Sequence, residues 1–258
     1  MRVLSLTVAA ALSLLSGAAF ASTVVVSPNN LNGWAFSNLD NYPYSNASGG
    51  FVSGPGTPPL GAGSAQFIVG DSQSSEILYN LSLDNGMTVS DFTTFSYATY
   101  RASPVGSNSV LEAALAINIA SGINYEGRLV YEPYLSGATT LDSTWQTWNP
   151  MTGIGWYESH NASGTCSMST PCSWTTLMSS YGSDTVDYGL LFKAGSGWAS
   201  FQGNVDAFTV GTSLTTTTTT YNFEAAAPEP ASITLLGFAL VGLAFVRRRT
   251  ARVSSRRP

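Results

Sequence analysis

Short runs in which apolar and polar side chains alternate dominate the chain between residues 22 and 224. In one of them, Leu115, Ile117 and Ile119 alternate with smaller or polar neighbours. Because successive side chains of a strand point to opposite faces of a sheet, this period of two is typical of half-buried strands. The same pattern occurs at residues 76–83, 95–101, 126–135, 185–193 and 203–210. Roughly nine to eleven strands are expected, which predicts an all-β fold, a jelly-roll-like β-sandwich over residues 22–224.

One segment departs from this period and predicts a short helix. Four apolar residues recur in it at helical spacing: Trp174, Leu177, Met178 and Tyr181. Ser173 stands where a side-chain oxygen can cap the first turn, and Gly182 stands where a helix can end. We therefore expect one short helix packed on the sandwich. At the other end of the body, the threonines of residues 215–220 favour an extended chain and predict a terminal strand.

Both ends of the chain carry longer uncharged apolar segments. Residues 3–15 follow Arg2 and lead to the small-residue site of residues 19–21, so residues 1–21 are predicted to be a secretory signal peptide. Residues 231–246 predict a transmembrane helix, slightly shorter than the usual span of about 17–25 residues. The tail of residues 247–258 begins with Arg247, Arg248 and Arg249 and is predicted to remain cytoplasmic by its positive charge.

A short motif precedes the predicted membrane helix. Pro228, Glu229 and Pro230 end a linker over residues 225–230, and the two prolines keep this segment extended and accessible. The order of motif, apolar helix and arginine cluster resembles the PEP-CTERM sorting signal of Gram-negative bacteria. That resemblance implies export across the inner membrane, transient anchoring there and handling by an exosortase-type processing enzyme. It also implies delivery to the envelope surface or the extracellular matrix.

Charge changes the picture once the two ends are set aside. The whole chain has a net charge of −5, but residues 22–227 hold fourteen acidic and three basic residues, a net charge of −11. Such a body is not expected to bind nucleic acid. An acidic surface poor in lysine suits a protein that meets divalent cations or neutral sugars. The plain alternative is that the charge only keeps the protein soluble.

The two cysteines, Cys166 and Cys172, predict a disulfide, because the count is even and the chain is predicted to be exported. The bond would close a very short loop, so its expected effect is to stiffen the segment before the helix rather than to stabilise the whole fold. A metal site is not expected, because His160 is the one further ligand nearby.

The body carries a second resemblance. Residues 145–148, 155–157, 172–174, 190–198 and 201–208 follow one another in the order of a family of exported bacterial β-sandwich domains of uncertain function. The run around Asp206 is similar to the last core strand of carbohydrate-binding jelly rolls. In such domains an Asp at this position often helps to hold a structural calcium ion, so the resemblance implies Asp206 as a possible calcium ligand. A solvated strand carboxylate or a turn-bonding Asp is the alternative.

Three residues of the second half are candidates for sugar contact. Sugar sites use aromatic faces with nearby carboxylates, which points to Trp148, Trp156 and Glu158 in a segment rich in glycine and proline. The opposing interpretation places both tryptophans in the core, as in most β-sandwiches. The best hypothesis is a non-catalytic surface or matrix protein that binds exopolysaccharide.

Catalytic motifs are not found in the sequence. His160 is the only histidine, and no G-x-S-x-G elbow accompanies it. The protein is therefore not expected to be an enzyme. No cofactor is expected to be required, and a structural Ca²⁺ at Asp206 is a possibility that the resemblance implies. Two alternatives remain: a secreted hydrolase that acts on glycans through a pair of carboxylates, and a purely structural or adhesive matrix component.

Overall fold

The computed structural model describes residues 21–38, 46–102, 110–121, 124–215 and 217–226. The sorting motif at Pro228–Pro230, the predicted membrane helix 231–246, the arginine tail and residues 1–20 of the predicted signal peptide lie outside the described residues. Within the described ranges, no helix is long and apolar enough to cross a membrane.

The predicted β-sandwich is confirmed. Fourteen strands in the described ranges form two seven-stranded sheets. The first sheet contains β1 (Ala21–Val26), β3 (Ala47–Ser53), β4 (Gly63–Val69), β6 (Phe92–Arg101), β9 (Trp145–Trp148), β13 (Phe201–Thr212) and β14 (Thr218–Phe223). The second contains β2 (Ala35–Ser37), β5 (Ser75–Asn80), β7 (Ala114–Ser121), β8 (Asn124–Tyr131), β10 (Ile154–Glu158), β11 (Cys172–Ser173) and β12 (Thr185–Gly195).

The strand order places distant parts of the sequence side by side. The second sheet runs β11-β10-β8-β7-β12-β5-β2, and its neighbouring strands pair antiparallel. In the first sheet, β1 pairs in parallel with β14, so Ala21 lies opposite Thr218. The predicted threonine strand is thus β14, and it holds the two ends of the body together.

The inner faces of the two sheets meet in an aromatic core. Trp34 lies at its centre, with ring centroids 6.1 Å from Phe192, 5.9 Å from Phe208 and 5.4 Å from Phe223. Strands of both sheets supply these partners, so one side chain ties the sheets together. The alternation recognised in the sequence is observed directly: Leu115, Ile117 and Ile119 all point into this core.

The one α-helix among the described residues, α1 (Trp174–Tyr181), begins and ends where the sequence predicts. The Ser173 side chain accepts a hydrogen bond from the Thr176 backbone N–H at 3.2 Å, which caps the first turn. Trp174 and Leu177 are buried against the sandwich. The helix therefore closes one end of the core beside β10 and β11.

Several carboxyl groups are buried in the sandwich, and two of them have a pKa raised to about 7. Glu76 is 2% exposed and Glu112 is 1% exposed. Burial raises the pKa of Glu76 to about 7 and that of Glu112 to about 7, because the charged form loses its hydration. The folded protein therefore holds protons on these groups at a pH where the unfolded chain has released them.

We expect the free energy of unfolding to fall as pH rises. The contribution of each carboxyl is fully present below pH 4.5, the unfolded value, and is lost as pH rises through about 7. For each group the loss between pH 5 and pH 8 is about 2 kcal/mol. Urea unfolding at the two pH values measures it. Glu76→Gln should flatten the profile, whereas Glu126→Gln, at an exposed carboxylate, should leave it unchanged; a flat wild-type profile would contradict the assignment.

Candidate functional site

A continuous row of side chains crosses the outer face of the second sheet. Backbone pairing aligns five residues from five neighbouring strands: Tyr157, Val130, Ala116, Leu191 and Tyr79. Strands lie about 4.8 Å apart, so the two tyrosines that end the row are roughly 19 Å apart. These apolar residues form a small cluster on the outer face, separate from the core between the sheets. The outer face thus offers an apolar strip with an aromatic ring at each end.

A groove lies over the Tyr157 side of this row. Its volume is about 450 Å³. The alanines at 114 and 116 form part of its floor, and their short side chains leave room that a larger residue would fill. Tyr157 and the mostly buried Trp198, from the loop after β12, also line the groove. The groove therefore combines a shallow apolar floor with aromatic walls.

Charged and hydrogen-bonding groups border the floor on both sides of the row. Arg128 lies two residues before Val130 on β8, and its Nε donates to Asn118 Oδ1 at 2.8 Å. Lys193 lies two residues beyond Leu191 on β12, opposite Ala114. Both cations line the groove. The backbone register thus places them on different strands and on opposite sides of the apolar row.

Glu132 is the one carboxylate that lines the groove among the described residues. Its Oε1 accepts a hydrogen bond from the Tyr157 hydroxyl at 2.7 Å, whereas the buried Oε2 has no hydrogen-bond partner in the described part of the chain. Burial raises the pKa of the Glu132 carboxyl, while the hydroxyl of Tyr157 and the charge of Lys193 oppose that shift. The carboxyl is thus held by the Tyr157 hydroxyl, and its Oε2 is buried rather than presented at the surface of the groove.

The rim of the groove is held in place by the disulfide loop. Cys166 and Cys172 are joined, with an S–S distance of 2.05 Å and a Cα–Cα distance of 4.9 Å. The Glu158 N–H donates to the Cys166 carbonyl at 2.9 Å, which ties the loop to β10. Met168 lies inside this loop and lines the groove. The short loop predicted to be stiffened thus shapes the edge of the candidate site.

The tryptophans predicted to contact sugar point the other way, which corrects that interpretation. Trp156 is 0% exposed and its Nε1 donates to the Pro150 carbonyl at 2.6 Å. Trp148 is 5% exposed and its Nε1 donates to Thr99 Oγ1 at 2.7 Å. Pairing explains the orientation, because each lies opposite an inward-facing tyrosine, Tyr131 and Tyr97 respectively. Neither ring presents a face to solvent.

Glu158 is also turned away from a ligand. It is 5% exposed and follows the same inward phase of β10 as Trp156. Its Oε1 accepts the His160 backbone N–H at 2.9 Å. Tyr157, which lies between Trp156 and Glu158 in β10, is the residue that faces the groove. A shift of one position along a strand exchanges the two faces, so Tyr157 faces out from β10 where Trp156 and Glu158 face in.

Asp206 has the surroundings of a hydrogen-bonded structural carboxylate. Its Oδ2 accepts the Leu60 N–H at 2.9 Å and its Oδ1 accepts the Phe223 N–H at 3.1 Å. Burial raises its pKa to about 6 against these hydrogen bonds. Calcium needs six to eight oxygen ligands, whereas the groups aimed at Asp206 are N–H donors. No group of three or more His, Cys, Asp or Glu gathers within the described ranges. The surroundings of Asp206 thus do not fit the predicted calcium site.

The groove-lining residues that the sequence did not single out include Tyr157, Arg128, Glu132 and Lys193. One signal was available in the sequence, because Arg128 and Lys193 are two of only three basic residues between residues 22 and 227. Their proximity was not readable, because β8 and β12 are far apart in sequence and become near neighbours only through β7.

Comparison with known proteins decides the identity of the C-terminal segment. The PEP-CTERM protein-sorting motif matches residues 226–249. The chain carries a PEP-CTERM sorting signal. The expected resemblance is confirmed, and the PEP-CTERM motif indicates export and membrane-anchored sorting.

The β-sandwich body is similar to carbohydrate-binding modules. One is a family 11 module from Clostridium thermocellum in complex with a β-1,3-1,4-mixed-linked tetrasaccharide, at 15% identity and a TM-score of 0.39, covering 68% of this chain and 86% of that one. Another comes from work on the promiscuous specificity of carbohydrate-binding modules of the β-sandwich superfamily, at 12% identity and a TM-score of 0.36. That match covers 70% of this chain and 58% of the other. No curated protein matches the sequence.

The inward orientation of Trp156 has a measurable consequence. Trp156→Ala should lower the free energy of unfolding by about 3–5 kcal/mol, because it opens a cavity in the core. Urea unfolding followed by circular dichroism measures the change. Ile154→Ala, at an exposed position of the same strand, should change stability by less than about 0.5 kcal/mol. A Trp156→Ala protein as stable as the wild type would contradict the buried position of Trp156.

Proposed function

We propose that the exported body is a non-catalytic domain that binds a polysaccharide in the groove of the second sheet. The observation that carries the proposal is the groove itself: an alanine floor, aromatic walls and polar groups that converge on one open strip. Sugar rings present apolar C–H faces and polar hydroxyl edges, so a ligand of this kind needs both kinds of surface. Binding sites in general are concave, mostly apolar and carry a few placed polar groups.

The polar groups of the groove match the edge of a sugar ring. The Tyr157 hydroxyl already donates to Glu132 Oε1, so its oxygen can still accept a hydrogen bond. The bond to Glu132 fixes the Tyr157 hydroxyl in one orientation, so this acceptor is positioned before a ligand arrives.

A hydrolase is disfavoured by the same lining. Glycoside hydrolysis uses two carboxylates placed about 5–9 Å apart. Among the described residues, Glu132 is the one carboxylate that lines the groove. The groove therefore supports binding without cleavage. A purely structural matrix role is less favoured, because it gives the groove no ligand.

The sorting signal gives this binding domain its place. We infer that an exosortase-type processing enzyme acts on the motif after export, while the predicted helix 231–246 holds the chain in the inner membrane. The mature body would then lie at the envelope surface or in the extracellular matrix, where exopolysaccharide is the abundant polymer.

Filling the groove tests the proposal. Ala116→Phe places a ring on the floor and should weaken binding of a bound polysaccharide by roughly tenfold or more, a change of about 1.4 kcal/mol or more. Isothermal titration of the full chain in mild detergent measures the affinity. Gln202→Phe adds the same side chain at an exposed position of the first sheet and should bind as the wild type does.

The same samples separate the alternatives. Circular dichroism confirms that each variant is folded, and an assay for new reducing ends follows cleavage. Product released by the wild type would favour the hydrolase. If Ala116→Phe and the wild type bound with equal affinity, the polysaccharide would not lie in the groove. If the folded protein bound no polymer, a structural matrix protein would be favoured.

A further inference from the structure

The positive charges of the body are placed unevenly. Residues 22–227 contain three basic side chains. Arg101 is 2% exposed and forms an internal ion pair with Asp142, with Nη2 2.5 Å and Nε 2.8 Å from Oδ1. The other two, Arg128 and Lys193, both line the groove. Every basic residue of the body that is not committed to this internal ion pair thus borders the candidate site.

Strand geometry sets the distance between the two groove cations. Arg128 lies opposite Asn118 and Lys193 lies opposite Ala114, so β7 separates them by four residues along the strand and by two strand spacings across the sheet. Their Cα atoms are therefore roughly 16 Å apart. An oligosaccharide that lies along the groove is long enough to reach both positions.

Three acidic side chains lie near the groove cations. Burial raises the pKa of Glu132, while the Tyr157 hydroxyl and the charge of Lys193 oppose that shift. Glu158 is buried beneath the rim, where it accepts backbone and hydroxyl hydrogen bonds. Glu126 is exposed, and its backbone carbonyl contacts His160 Nδ1 at 2.6 Å. His160 also lines the groove.

We propose that the polysaccharide held by this groove is acidic, a polymer whose sugar units carry carboxylates. This inference rests on the proposed function and names its ligand class. Arg128 and Lys193 each contact a carboxylate of the bound polymer, while the alanine floor and the ring of Tyr157 contact its sugar rings. Charged hydrogen bonds of this kind are stronger than neutral ones and set specificity as well as affinity.

Nucleic acid is the rival polyanion. It is disfavoured because the body carries a net charge of −11 and offers only two basic side chains at the groove, too few to follow a phosphate backbone. A polymer with widely spaced carboxylates and exposed sugar faces fits two separated cations on an apolar floor. Single-stranded DNA therefore serves as a comparison ligand in the test.

A matched pair of polymers tests the ligand class. The full chain in mild detergent is titrated with a polyuronate and with the same polymer after its carboxylates have been reduced to alcohols. The acidic polymer should bind roughly tenfold more tightly at low salt, and the difference should shrink as salt screens the charges. Single-stranded DNA should not bind.

The outcomes separate this inference from the proposed function. Equal binding of both polymers would overturn the acidic ligand and keep the polysaccharide-binding groove. Tight binding of DNA would overturn the carbohydrate ligand. Failure of the folded protein to bind any polymer would overturn both proposals.

A charge relocation tests the residues. Lys193→Gln and Arg128→Gln should each weaken the acidic polymer by roughly fivefold and leave the reduced polymer unaffected. The double variant Lys193→Gln with Gln202→Lys restores the net charge on the opposite sheet and should remain weak. If it recovered wild-type affinity, overall charge rather than the groove would explain the binding and the assignment would fail.

Discussion

The interlocking of aromatic side chains between the two sheets is the constraint on which the rest of this structure depends. Trp34 contacts rings from both sheets, and Trp156 and Trp174 extend the same core towards the helix with ring centroids 5.0 Å apart. Buried rings contribute most of the apolar area that holds a sandwich together. Once these residues are inward, strand alternation dictates which neighbours must face outward.

The groove is a consequence of that alternation. Tyr157 faces out because Trp156 faces in, and Ala116 faces out because Leu115 and Ile117 face in. Two outward positions of the central strand β7, Ala114 and Ala116, are small and leave room that a bulkier residue would have filled. The core thus determines where a ligand can lie, while the outward residues determine what it can be.

The first sheet uses its outer face differently. Asp206 holds Leu60 and Phe223 by their N–H groups, and Glu224 accepts the Ala62 N–H at 3.1 Å. Trp145 Nε1 donates to the Pro55 carbonyl at 2.9 Å. These contacts attach the loop of residues 54–62 to the outer face of the first sheet, whereas the groove of the second sheet is open. The two outer faces of the sandwich therefore differ. A loop covers that of the first sheet, and that of the second sheet carries the candidate binding groove.

The sequence by itself determined the fold class, the capped helix at Ser173 and the PEP-CTERM signal, because periodicity, capping and the sorting motif are local in sequence. It also restricted the basic residues of the body to three. Only the tertiary structure decided that Trp148 and Trp156 are core and that Tyr157 faces the groove. A one-residue change of phase reverses the face of a strand, and composition does not reveal that phase. The placement of Arg128 and Lys193 on the same face of the second sheet depends on the strand order. Long-range strand pairing is a property of the folded chain and of no single segment.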